Sequence, residues 1–290
     1  MIVILAISSG FFYGVSNLLT RIGLRYSNPL SAVLINQVSG LVACLFISFF
    51  ALSLDQFDSK AILYFITAGI MGPFIARFFL YIGIDKVGTS IASALYQTKP
   101  LFSALTAVVL LSEKITPPIA AGILLMTIGT VIISVEESGG QIEKKWVRKD
   151  LIFPLAAGAF FGLAHVVRKM GLNITPQPIM GVTVQSAAAL FVFLLYSVAQ
   201  GNIKRMDLND KKAWMIFSIS GFSSVAAQMC LFYALNLGQV VVVSPLASLE
   251  PFFVLLLVGI FLKKMERVTG NIVLGTILIF GGAVVLTLMF

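Results

Sequence analysis

"GFFYGVSNLLTRIGL", residues 10–24, and "GAFFGLAHVVRKMGL", residues 158–172, are variants of one stretch. Gly10, Phe12, Gly14, Gly23 and Leu24 recur as Gly158, Phe160, Gly162, Gly171 and Leu172, and the same offset pairs Gln37 with Gln185. With small shifts, Ser93, Leu95, Pro100 and Phe102 match Ser244, Leu246, Pro251 and Phe253. A further shift pairs Glu113, Thr116, Gly122 and Gly129 with Glu266, Thr269, Gly275 and Gly282. The matches keep their order along the whole chain, which marks an internal duplication.

What is duplicated is a set of membrane spans. Of 290 residues, 59% are hydrophobic and only 11% charged, with a mean hydropathy of +1.01; a soluble domain is nearer half apolar and a quarter charged. The apolar runs are about 20 residues long, the length of a spanning helix rather than of a barrel strand. Ten are expected, at 2–24, 29–53, 61–84, 88–112, 117–135, 150–172, 177–200, 212–236, 239–262 and 269–289. The first lacks a basic leader and a small-residue cleavage site, so it reads as a span rather than a removable signal. The longest break, 136–150, falls at the middle. The expected fold is therefore all-α, with ten transmembrane helices in two five-helix repeats, 1–135 and 151–290, joined by the 136–150 loop. Five is odd, so the second repeat enters the membrane from the opposite side. Inverted repeats of this kind build many secondary transporters, with the substrate near mid-membrane between the halves.

Several function classes drop out. The net charge of +8 fits basic loops at an anionic leaflet, and no basic patch interleaved with aromatics points to nucleic acid. Cys44 and Cys230 lie inside apolar runs, and a lone histidine, His165, builds no zinc site. No HExxH, G-x-S-x-G, Walker A or paired intramembrane aspartates are present, so neither an enzyme nor a cofactor or metal is expected. Movement of a solute would draw on protons, a counter-substrate or a downhill gradient.

The informative residues are charges away from segment ends. Of the 20 basic residues, 18 read as lying at or near ends; Arg77 and Lys99 do not, and Glu250 is the acidic exception. Each costs roughly 2.5–3.5 kcal/mol at a helix centre on insertion scales, so such groups face a cavity or a bundle interior. The repeat sets Lys99-Pro100 opposite Glu250-Pro251, both near mid-membrane. Two cations and one acid suit an amino acid or small organic anion, with carboxylate on the cations and amine or proton on Glu250. A plainer alternative is that Lys99 and Glu250 only brace the halves. Pro100 and Pro251 read as helix breaks, His165 as a proton relay or a satisfied core histidine, and Tyr81, Tyr96, Gln97, Asn36 and Gln185 as cavity-wall candidates or interhelical hydrogen bonds. The Gly10/Gly14 and Gly158/Gly162 pairs read as packing, and Glu113 and Glu266 as helix-end caps or salt links.

The ten spans, the duplicated halves, the mid-span prolines and the Glu-x-x-Thr turns ("SEKIT", 112–116, and "MERVT", 265–269) resemble the EamA-type drug/metabolite transporter superfamily. The resemblance implies a multi-pass protein of the cytoplasmic (inner) membrane that carries small metabolites, often by exchange or efflux, working as a monomer or homodimer. The cargo expected from the residues is an amino acid or related carboxylate. A cationic-drug exporter and a non-transporting structural protein are the alternatives. Loops after spans one, three, five, seven and nine carry fourteen basic residues against four (Lys60, Lys114, Arg168, Lys169) on the other side. The positive-inside rule then places both termini outside, whereas the resembled family is commonly drawn with both termini cytoplasmic.

Overall fold

Prolines and short polar side chains set where the helices start. Pro29, Pro117 and Pro178 open α2 (Pro29–Ala51), α7 (Pro117–Glu137) and α9 (Pro178–Ala199), a position where the missing N–H costs nothing. Asp58 accepts from Lys60 N at the head of α3 (Ser59–Gly69), and Asp210 from Lys212 N and Ala213 N at the head of α10 (Lys211–Leu237). This computed structural model describes residues 1–51, 58–137, 148–261 and 269–288. Among them, ten helical segments are long and apolar enough to cross a membrane.

Seven of the ten are unbroken: α1 (Ile2–Gly23), α2, α7, α8 (Ile152–Ile174), α9, α10 and α13 (Gly270–Thr287). Three are interrupted. The third span passes from α3 through a π-helical stretch, Ile70–Ala76, into α4 (Arg77–Val87). Pro73 lies inside that stretch, a break absent from the expected run of 61–84. The fourth is α5 (Thr89–Tyr96) followed by α6 (Lys99–Leu111), and the ninth is α11 (Val240–Ala247) followed by α12 (Glu250–Phe261). Pro100 and Pro251 therefore do not kink continuous helices. Each is the second residue of a new one.

Packing recurs in pairs. A Cβ on Gly23 would fall 2.4 Å from the Phe217 ring, and one on Gly171 would fall 2.6 Å from the Phe65 ring, so α1 meets α10 as α8 meets α3. At the α7–α13 seam, a Cβ on Gly122 would lie 3.1 Å from Gly282 O, and one on Gly129 would lie 2.6 Å from Gly275 O. Gly69 packs on the backbone of Gln185 and Gly221 on that of Asn36. The position matching Gln185 is thus Asn36 rather than Gln37: α2 and α9 start one residue out of the α1/α8 register, at Pro29 and Pro178. Residues 138–147 of the joining loop, and Glu266, lie outside the described residues.

Candidate functional site

The two helix breaks meet through Lys99 and Glu250, each against a glycine pair. α1 lays Gly10 and Gly14 on the α11–α12 break, and α8 lays Gly158 and Gly162 on the α5–α6 break. A proline two residues into a helix leaves the carbonyl four residues earlier without its helical partner. These carbonyls are Tyr96 O and Ala247 O. They lie 3.2 Å from where a Gly158 Cβ would be and 3.3 Å from a Gly10 Cβ. A Cβ at either position would crowd the carbonyl, which glycine avoids.

The first residues of the two second-half helices pair across the molecule. Lys99 Nζ lies 3.6 Å from Glu250 Oε2, with side chains 3% and 22% exposed. At that distance, and an effective dielectric near 20, attraction gives roughly 4 kcal/mol, to be set against the desolvation of both ions. The Tyr96 and Phe161 rings lie 4.7 and 5.3 Å from the ammonium, and Asn17 Nδ2 donates to Glu250 Oε1. A cavity of about 360 Å³ adjoins this pair, a volume suited to a small metabolite. Its lining climbs to Leu24 and Pro29 at the α1–α2 connection and to Tyr81. Among the described residues, none of the α6–α7 or α10–α11 connections contributes. The cavity therefore opens toward one end of the bundle and is closed at the other.

Arg77, Lys99, Glu250, Tyr96, Tyr81, Asn36, Gln185 and His165 all line this cavity. Tyr81 is a rim residue, 53% exposed. Asn36 Nδ2 donates to Ser220 Oγ at 2.8 Å. Gln97 is buried at the α5–α6 break and does not line the cavity.

Arg168 is the main correction. Counted with the loops, it is 1% exposed and lines the cavity. The reason is its position on the helix: Arg168 shares with Phe161 and His165 the face of α8 that lines the cavity. The spacing i, i+4, i+7 of those three residues was the available signal. Removing it leaves only Lys60, Lys114 and Lys169 opposite the fourteen basic residues. Arg168 Nε donates to Gln185 Oε1 at 2.6 Å, and Gln185 Nε2 donates to Gln228 Oε1 at 2.7 Å. Lys169, by contrast, reaches outward to Leu235 O at 2.6 Å, a cation on the last carbonyls of α10. At the closed end, Glu113 accepts from Val240 N and Val241 N at 2.9 and 3.0 Å, as the capping expectation had it.

The EamA-like transporter family matches residues 1–135 and 149–288. The chain belongs to that family. A transporter of Archaeoglobus fulgidus, itself uncharacterized, is 33% identical over 148 residues, 50% of this chain and 48% of that protein, so the match spans about half of that relative's length. An uncharacterized protein of Methanocaldococcus jannaschii is 27% identical over 133 residues, 46% of this chain but 96% of that protein. One crystal structure aligns with a TM-score of 0.81 over 99% of this chain and 96% of its own, at 16% identity, a likeness of fold alone. Its family and its ten long apolar helices, counted among the described residues, make it a multi-pass membrane protein.

Proposed function

We propose that this EamA-like transporter moves a small polar metabolite bearing a carboxylate, an amino acid or related organic anion, across the cytoplasmic membrane. It does so by alternating access between two inverted five-helix halves, 1–135 and 151–290. The observation that carries the cargo class is the charge of the cavity: Arg77, Lys99 and Arg168 line it against Glu250 alone among the described residues. Such a lining repels a cationic drug and attracts an anion. Glu250 takes the cargo's amine or a coupling proton. Recurrence of the glycine contacts supports the two-fold halves, as does a relative matched over nearly its whole length by less than half of this chain. The Lys99–Glu250 pair also links the halves, and this bracing coexists with cargo handling.

Counterflow in proteoliposomes tests the reading. Labelled amino acids and dicarboxylates should exchange, while their amides and simple amines should not. Exchange of amines with no movement of any carboxylate would sink it.

A further inference from the structure

Two buried polar atoms in the cavity wall have no partner among the described residues: Arg168 Nη1 and His165 Nε2. Both belong to α8, one turn apart, on the face that lines the cavity. Their surroundings explain what holds them. Arg168 is 1% exposed and lies between the Phe161 and Phe232 rings, at 5.6 and 5.8 Å. Its Nε is fixed by Gln185, itself fixed by Gln228. That arrangement orients the fork and leaves Nη1 without an acceptor among the described residues. Among the described residues, Arg168 makes no ion pair, whereas Lys99 has Glu250. A buried guanidinium without counter-charge is costly. The natural relief is an anion that arrives with the cargo.

His165 is set up to assist. Ser103 Oγ donates to Ser244 Oγ at 2.7 Å, and Ser244 Oγ lies 2.8 Å from His165 Nδ1. Ser103 has one hydrogen for two acceptors, Ser244 Oγ at 2.7 Å and Pro100 O at 2.9 Å; given to Ser244, the shorter contact, it leaves the Ser244 hydrogen for Nδ1. Nδ1 is then the acceptor, and the imidazole hydrogen sits on Nε2, the unpartnered atom. Within one helix turn, Arg168 Nη1 and an imidazole N–H both lack acceptors among the described residues.

We infer that Arg168 and His165 together form the anchor for the cargo's carboxylate, which accepts from the Arg168 Nη edge and from His165 Nε2–H. The inference rests on the carboxylate-transporter reading and assigns it a locus distinct from the Lys99–Glu250 pair. It gives His165 the role of a neutral donor in place of a proton relay. A planar, two-oxygen acceptor matches the guanidinium fork, which a lysine could not replace.

The test uses the full chain in lipid nanodiscs, with succinate and benzoate as probes against succinamide and benzamide. Carboxylates should bind and amides should not. Arg168→Gln should weaken carboxylate binding by about 100-fold and His165→Leu by about 10-fold, with Arg168→Lys rescuing only part of the loss. Arg168→Met in the unliganded protein should melt no lower than wild type, because it removes an unpaired buried charge; a merely structural arginine would lower the melting temperature. As the chain has a single histidine, one ¹⁵N-histidine spectrum reads the ring. A neutral Nε2–H tautomer whose signal moves on adding benzoate is expected. An Nδ1–H tautomer, or a ring that becomes imidazolium on binding, would overturn the anchor. So would undiminished carboxylate binding by Arg168→Gln and His165→Leu, which would leave the transporter reading standing. Absence of carboxylate binding by the wild type overturns both.

Discussion

The α5–α6 and α11–α12 breaks share a backbone and differ in chemistry. Each has two residues between short helices, a charged residue then proline at the restart, and a glycine pair from the other half against it. Yet one restart carries a buried cation held under two rings, and the other a half-buried acid held by an amide. The facing helices diverge in step. Where α8 presents Phe161, His165 and Arg168, α1 presents Tyr13, Asn17 and Thr20 at the matching positions. On similar backbones, three side chains on three helices make the cavity basic: Arg77 on α4, Lys99 on α6 and Arg168 on α8, where α1 has Thr20.

The largest effect should come from cutting the ion pair on either side. Glu250→Gln strands Lys99, whose side chain is 3% exposed, while Lys99→Gln leaves Glu250 with Asn17 and 22% exposure. The first should cost about 3–5 kcal/mol of stability, as for an uncompensated buried charge, and the second clearly less. Melting of the two variants in nanodiscs checks it. Equal losses would mean the two breaks are energetically alike, and the comparison would fail.

How much of this was readable beforehand follows from the same asymmetry. The ten spans follow from apolar run length, and the repeated charge–proline motif sets Lys99 opposite Glu250, which pair in the structure; both are local or periodic signals. Arg168 was lost because it falls within about a turn of the expected span end at 172, where a cation reads as a segment-end charge, although α8 runs to Ile174. A basic pair near an expected boundary looks like a loop. The Pro73 break was missed because a π-helical stretch keeps the hydropathy of a span. Gln97, read as a cavity-wall candidate or an interhelical hydrogen bond, is buried at the α5–α6 break and does not line the cavity. The Gln185–Gln228 relay joins the successive helices α9 and α10 across residues 43 apart and has no local signature.

A smaller effect should come from closing the glycine contacts. In Gly162→Ala the new Cβ would lie 2.5 Å from Lys99 O and 2.8 Å from Ser103 N, against backbone that cannot yield. In Gly14→Ala the nearest atom, at 2.8 Å, is the Phe253 Cβ, with backbone at 3.3 Å. Overpacking of this kind costs about 1–3 kcal/mol, and the loss should be greater at Gly162. Thermal melting of both variants measures it. A greater loss at Gly14 would show the α11–α12 break to be the more tightly packed one.

The smallest effect concerns the closed end. Glu113 places both carboxylate oxygens on the first two N–H groups of α11, whereas among the described residues no side chain caps α5 at Gly88. An anion on a helix N-terminus is favourable, and a glutamine keeps one acceptor but no charge, so Glu113→Gln should cost about 0.5–1 kcal/mol. The local consequence is more telling than the stability. Val240 and Val241 are fully buried here, and loosening the cap should raise reaction of a cysteine at Val241 with a membrane-impermeant thiol reagent. That reading needs a background lacking Cys44 and Cys230. If labelling at Val241 were unchanged by Glu113→Gln while melting fell, the cap would only stabilise α11. The difference between the capped and uncapped helix starts would then have no part in keeping one end of the cavity shut.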